Sequence, residues 1–180
     1  MRHPNGGERM ELFEAIEQRA SVRDLEPVEV PQADLLRILD AGRRAPSGMN
    51  RQPYHLIVVR GQETLRRLGA AQECIGHVSL VIAVVAHPEE SKFWLEDISA
   101  VTQNVLLAIT ALGYASVWIE GRLMSQEREW KEVLGVPAAD RLMVILPVGR
   151  AKGPVTQKEK RPLAEVVYEE RWGQPLAALG

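Results

Sequence analysis

The sequence predicts an α+β fold, four core strands with helices packed around one very apolar central helix. Three segments carry that expectation. Residues 80–86 read Leu-Val-Ile-Ala-Val-Val-Ala, a continuous apolar run rich in β-branched residues, as in strands covered on both faces. Residues 141–148 are a second such strand. Residues 95–112 form the longest helical candidate, where Val101, Val105, Leu106, Ala108, Ile109 and Leu112 point to burial nearly all round and Gly113 supplies the stop.

The remaining elements follow in order. Met10, Leu12, Phe13 and Ile16 keep helical spacing, so a first helix is expected over residues 10–18. Pro31 suits the first turn of a second helix over 31–42, with Leu35, Leu36, Ile38 and Leu39 on its inner face. Residues 45–53 are an irregular loop by their Pro, Gly, Ser and Asn content. A strand over 54–60 and a short amphipathic helix over 62–70 come next. Residues 115–119 read as a short strand, 125–134 as a capped helix, and 163–172 as a closing helix. Strand pairing is not readable from the pattern.

Size and composition bound the function. The chain has 180 residues, 46% hydrophobic and 26% charged, as expected of one globular domain. A formal net charge of −2 gives no reason to expect a nucleic acid or an anionic membrane as partner, so any anion must be held by a local cluster. The one cysteine, Cys74, excludes an intramolecular disulfide and a cysteine-based zinc site. The longest apolar runs are about half of what a membrane-spanning helix needs. Residues 1–9 are polar, read as a frayed tail with no signal-peptide core, and a cytoplasmic location is expected.

Three stretches carry candidate chemistry. In Arg19-Ala20-Ser21-Val22-Arg23, extended backbone would turn Arg19, Ser21 and Arg23 to one face, giving two guanidinium forks and a hydroxyl suited to a phosphate. A solvated loop with ion pairs to Asp24 or Glu26 is the other reading. Arg150, Lys152, Lys158, Lys160 and Arg161 lie in twelve residues opposed only by Glu159. This is either a solvated run or a segment returning Arg161 to a fixed site. Pro46-Ser47-Gly48-Met49-Asn50-Arg51-Gln52-Pro53 offers Asn and Gln amides that suit a flavin edge, or is a plain connection.

Taken in order, four motifs resemble the nitroreductase family of FMN enzymes. They are Arg-x-Ser-x-Arg at 19–23, Pro-Ser-x-x-Asn-x-Gln-Pro at 46–53, Leu-Gly-Tyr-x-x-x-Trp-Ile-Glu-Gly at 112–121 and Arg-Pro-Leu-x-Glu-Val-Val at 161–167. The resemblance runs over residues 10–172, which it implies are one FMN-binding domain. It implies a mainly antiparallel sheet, with room for a fifth strand from a partner subunit. It also implies a homodimer with two FMN sites at its interface, and residues 173–180 would be a tail packing on the partner.

On this resemblance Arg19, Ser21 and Arg23 hold the phosphate and ribityl end, joined by Arg161. Pro46, Ser47, Asn50 and Gln52 line the flavin, partly from the neighbouring subunit. Ile119, Glu120 and Gly121 lie against the ring, a backbone N–H of that turn near flavin N5. Many relatives carry a lysine where Glu159 stands here, and Lys158 or Lys160 is the substitute.

The implied activity is hydride transfer from NAD(P)H through flavin N5 to a small organic acceptor, a nitroaromatic, quinone or similar, by a ping-pong mechanism. Such chemistry names no catalytic acid or base. The rivals are a non-catalytic flavin-binding protein and a variant performing reductive dehalogenation or flavin breakdown. His3, His55, His77 and His87 are scattered without metal spacing, and Cys74 reads as structural. No Gly-x-Gly-x-x-Gly follows a strand, which argues against a Rossmann site and not against a transient nicotinamide.

Overall fold

A computed structural model describes residues 10–70 and 72–179. The expected tail 1–9 therefore lies outside the described residues. In chain order the elements are α1 (Leu12–Gln18), β1 (Leu25–Glu26), α2 (Gln32–Arg43), β2 (Tyr54–Val59), α3 (Gln62–Gly69), α4 (Glu73–Gly76) and β3 (Leu80–Ala86). They continue with α5 (Trp94–Ala111), β4 (Ala115–Ser116), α6 (Gly121–Ser125), α7 (Glu127–Leu134) and β5 (Arg141–Ala151).

The sheet runs β1-β5-β3-β2, with β4 also paired to β5, and every strand pair is antiparallel. Its fifth strand, β1, comes from this same chain and was not marked by the sequence, because two residues are too few to show a period. All of β3 is buried, as is Leu142 through Gly149 of β5. One face of the sheet packs on α2 and α5, through Ile38, Ile82, Val84, Val101, Val105 and Ile109. The other face packs on α3, α4, α6 and α7, through Leu65, Leu68, Ile75, Leu123 and Trp130. Burying one such side chain contributes about 1.5–3 kcal/mol, so β3 and β5 are where stability concentrates.

One buried polar group on the α2 side of the sheet is partnered across the fold. Tyr114 donates its hydroxyl to the buried Asp34 carboxylate at 2.8 Å. Burial first, and that carboxylate second, push the Tyr114 phenol up to about 12, so it stays a neutral donor.

Several expectations are corrected. The capped helix over 125–134 is two helices, Ser125 closing α6 and a break falling at Gln126 before α7. The strand over 115–119 is β4 followed by a single bridge from Ile119 to Ile145. The closing helix over 163–172 is absent: Leu163–Glu165 make one 3-10 turn and the rest is irregular. Leu163, Val166 and Trp172 are exposed, Trp172 by 91%, so no packing surface repays helix formation there. In α1 only Ala15 is buried, while Leu12 and Phe13 are 61% and 77% exposed. In α2, Leu35 and Ile38 face inward as expected and Leu36 does not.

The α2–α5 contact is set by Gly42, where a Cβ would lie 2.7 Å from Val105 Cγ2, a buried β-branched side chain with no room to move. Gly42→Ala gains about 1 kcal/mol of helix propensity and meets an overpacking cost of about 1–3 kcal/mol. Urea denaturation is expected to show a net loss of stability; a gain would contradict this packing.

Candidate functional site

Two groups of candidate residues form, one at each end of α5. The first is built on residues 19–23. Arg19 closes α1, and the chain then extends so that Ser21 bridges Ser116 and the Val22 N–H donates to the Ser116 carbonyl at 2.9 Å. The Ser116 hydroxyl is buried and unpartnered, on the segment that bridges to Ser21. Gln157 donates through Nε2 to the carbonyls of Arg19 at 2.8 Å and Ile16 at 3.1 Å. That clip ties the basic C-terminal stretch to the first arginine of the motif. Lys160 and Arg161 follow three and four residues later, both exposed and in irregular chain.

Arg23 lies on a cavity of ≈ 490 Å³ with Asp24, Gln72, Glu73, Cys74, His77 and Lys152. Lys152 pairs with Asp24 at 3.1 Å. Burial pushes the Cys74 thiol above its usual value, an effect the Arg23 charge only partly offsets, so the thiol is protonated and unreactive. The residues behind the motif, Ala20 and Val22, line a separate cavity of ≈ 270 Å³ with Tyr114, Thr110 and Arg150.

The second group is the loop 46–52. Met49, Asn50 and Gln52 have φ of 51°, 56° and 52°, left-handed values that cost a non-glycine residue about 1–3 kcal/mol each. The loop is braced throughout. Ser47 Oγ accepts the Gln52 N–H at 3.1 Å, Gln52 Nε2 donates to the Asn50 carbonyl at 3.1 Å, and Arg51 donates to the Glu90 carbonyl at 2.9 Å. The Gly48 N–H donates to the buried Asp97 carboxylate at 2.8 Å. Pro46, Asn50 and Gln52 remain exposed.

Ile119, Glu120 and Gly121 lie between these groups. Ile119 is buried and exchanges backbone hydrogen bonds with Ile145 at 3.2 and 3.0 Å. Glu120 accepts the Trp118 indole N–H at 2.9 Å, and a Cβ at Gly121 would meet nothing within 4 Å.

The two ends do not meet within one chain. Asp97, which holds the loop, and Thr110, which borders the cavity behind residues 20 and 22, are thirteen residues apart on α5, ~20 Å at 1.5 Å per residue. The sheet repeats the spacing. Ser21 connects through Ser116 and Val148 to Leu80, while the loop enters β2 opposite Ala86, again ~20 Å further along β3.

With this geometry in view, likeness to other proteins is informative. The sequence model of the nitroreductase family matches residues 16–76 and 70–150. The chain belongs to the nitroreductase family. A protein of Archaeoglobus fulgidus with the provisional name NADH dehydrogenase/NAD(P)H nitroreductase is 32% identical over 173 residues, 90% of this chain and 99% of that protein. An iodotyrosine deiodinase of Thermotoga neapolitana is 26% identical over 87% of this chain and 95% of its own. A crystal structure of a provisionally named NADH dehydrogenase/NAD(P)H nitroreductase from Parabacteroides distasonis superposes with a TM-score of 0.82 at 25% identity, over 89% of this chain and 98% of that one. Among the described residues no helix is long and apolar enough to cross a membrane.

Sequence reasoning missed Gln72, Gln157 and Asp97, and it named Lys152 only within the basic stretch. Only Asp97 left a signal, as a carboxylate within a strongly apolar helical run. The Gln157 clip yields a direct expectation. Two exposed hydrogen bonds of about 0.5–1.5 kcal/mol each hold the basic stretch, so Gln157→Ala speeds tryptic cleavage at Lys158 and Lys160 with little change in melting temperature. An unchanged cleavage rate would show that something else holds it.

Proposed function

We propose that the protein is a homodimeric FMN-dependent oxidoreductase carrying hydride from NAD(P)H to a small organic acceptor, with two sites at the subunit interface. The observation that carries this reading is the ~20 Å between the Arg19–Arg23 segment and the 46–52 loop. Two chains, each giving its Arg19–Arg23 segment to one FMN and its 46–52 loop to the other, would account for this separation. The exposed Leu12 and Phe13 of α1, with Leu163, Val166 and Trp172 near the C-terminus, supply apolar surface for such a pairing. An obligate interface of this kind buries more than roughly 2,000 Å².

The donor set suits FMN. Arg19 and Ser21 offer charge-assisted and hydroxyl hydrogen bonds to a phosphate, and Lys160 and Arg161 are tethered within reach through Gln157. Arg23 and Gln72 offer donors to the pyrimidine side of a ring from a cavity whose charges are mixed, Lys152 being paired there with Asp24 and Glu73 lying beside them. Ser47, Asn50 and Gln52 of the other chain supply amide and hydroxyl groups to the ring edge. Ile119 gives a buried apolar support, and Glu120 with Gly121 leaves open space beside it for a flat partner. When bound, FMN supplies hydride acceptance and donation at N5. The chain's own part is to bind, orient and keep water off that face.

Reductive dehalogenation is a second reading, favoured by the likeness to the deiodinase. Anaerobic mixing with NADH or NADPH followed by an acceptor decides among the readings. Bleaching of the yellow protein and its reversal by a quinone or nitroaromatic support the first. Iodide release from an iodotyrosine supports the second, and no bleaching leaves a flavin-binding protein without turnover.

Arg19→Ala is expected to weaken FMN binding by about one to two orders of magnitude, from ~1.5–3 kcal/mol of lost charge-assisted hydrogen bonding, with the fold intact. Fluorescence-quenching titration of apo-protein reads this. If Arg19→Ala and Arg161→Ala both bind FMN as the parent does, the phosphate assignment is wrong.

A further inference from the structure

The loop 46–52 concentrates three left-handed non-glycine residues in four positions, and such a conformation persists only where neighbours over-determine it. One group ties the loop to α5. Asp97 stands in the first turn of α5 and is 4% exposed. One carboxylate oxygen accepts the Gly48 N–H at 2.8 Å; the other accepts the Ser91 hydroxyl at 3.1 Å, whose oxygen in turn accepts the Phe93 N–H at 3.1 Å. The Phe93 ring closes the same joint: a Cβ on Gly48 would lie 2.5 Å from its Cδ2.

Among the described residues no cation pairs with Asp97. A buried carboxylate without a counter-charge is poor value for stability alone, since an apolar residue in its place avoids the desolvation cost. The positive N-terminal end of α5 and the two donors make the charge tolerable there. What the carboxylate gains is position, because it fixes the loop's entry to the long, largely buried helix α5.

We propose that Asp97 is a positioning residue for the cofactor site of the other subunit, acting through Gly48 on the loop that carries Ser47, Asn50 and Gln52. The inference rests on the two-chain FMN site proposed above. The arrangement makes each chain supply the phosphate end of one site from Arg19 and Ser21, and the loop of the other site from the far end of α5. Damage at Asp97 and damage at Arg19 in one chain therefore fall on different sites.

The test uses mixed dimers. Asp97→Ala is expected to weaken FMN binding at least about ten-fold, the size of one lost charge-assisted hydrogen bond. Asp97→Asn, which keeps an oxygen for the Gly48 N–H, recovers part of that loss. Differently tagged Asp97→Ala and Arg19→Ala chains are co-expressed and the heterodimer isolated. One site then carries both changes and the other carries neither, so a single site per dimer binds FMN with parental affinity although neither mutant homodimer does.

A heterodimer with no tight site would overturn the proposal, because the loop would then serve its own chain or Asp97 would be merely structural. Parental FMN affinity in the Asp97→Ala homodimer would overturn it equally. If Asp97→Ala does not fold, Ser91→Ala takes its place in the same cross, with a smaller loss expected in the same direction. A parent protein that is monomeric or binds no FMN would instead remove the reading on which the inference rests.

Discussion

Burial of β3 and β5 on both faces is the constraint from which the rest follows. With helices on each side, these strands admit no polar group that lacks a partner, since an unmade hydrogen bond there costs about 1–3 kcal/mol. Their residues are accordingly all but uniformly apolar. No ligand-binding side chain can come from the middle of the sheet. Function is displaced to its rim: the extended chain after α1, the loop before β2, the crossing at Ile119 and the stretch after β5. These are the four places where the family motifs fall.

The same constraint gives α5 a second role. It covers one face of the sheet along its whole length, so its two ends mark the two ends of the strands. The C-terminal end borders the Arg19–Arg23 segment from behind, and the N-terminal end clamps the 46–52 loop. A helix that must be long to cover the core necessarily holds these groups apart. Separation of the two groups is thus a consequence of core size and not of any feature of the groups themselves. The apolar residues of α1 point the same way, since helical spacing of Leu12, Phe13 and Ile16 is kept while all three stay exposed among the described residues.

What could be read from the sequence divides along this line. The segments whose pattern repeats over several turns or strands, namely α5, β3, β5, α2 and α3, were legible because burial imposes periodicity. The end motifs were legible by residue type, through Arg-x-Ser-x-Arg and the Asn and Gln of the loop. The break at Gln126 and the two-residue β1 were not, because neither leaves a period. The run from Leu163 to Trp172 was expected as a helix and is irregular past Glu165, with Leu163, Val166 and Trp172 exposed among the described residues. Gln157 and Lys152 act through partners far away in sequence, Arg19 and the cavity of Arg23, and such pairings have no local signature.

Charge shows most clearly how a weakly acidic chain can still serve an anion. A net charge of −2 produces no useful long-range attraction. Against that background the Gln157 clip ties the stretch that carries Lys158, Lys160 and Arg161 to the Arg19 backbone, and the end of β5 sets Lys152 on one cavity with Arg23. Asp24 is the counter-charge the structure pairs within this group, on Lys152. The field that matters is therefore made by local geometry, with a reach of about one Debye length, ~8–10 Å at physiological salt. On the two-chain reading proposed above, a cofactor would be gripped mainly at its charged end. That suits chemistry in which the bound group does the bond-making and the protein need only keep its orientation.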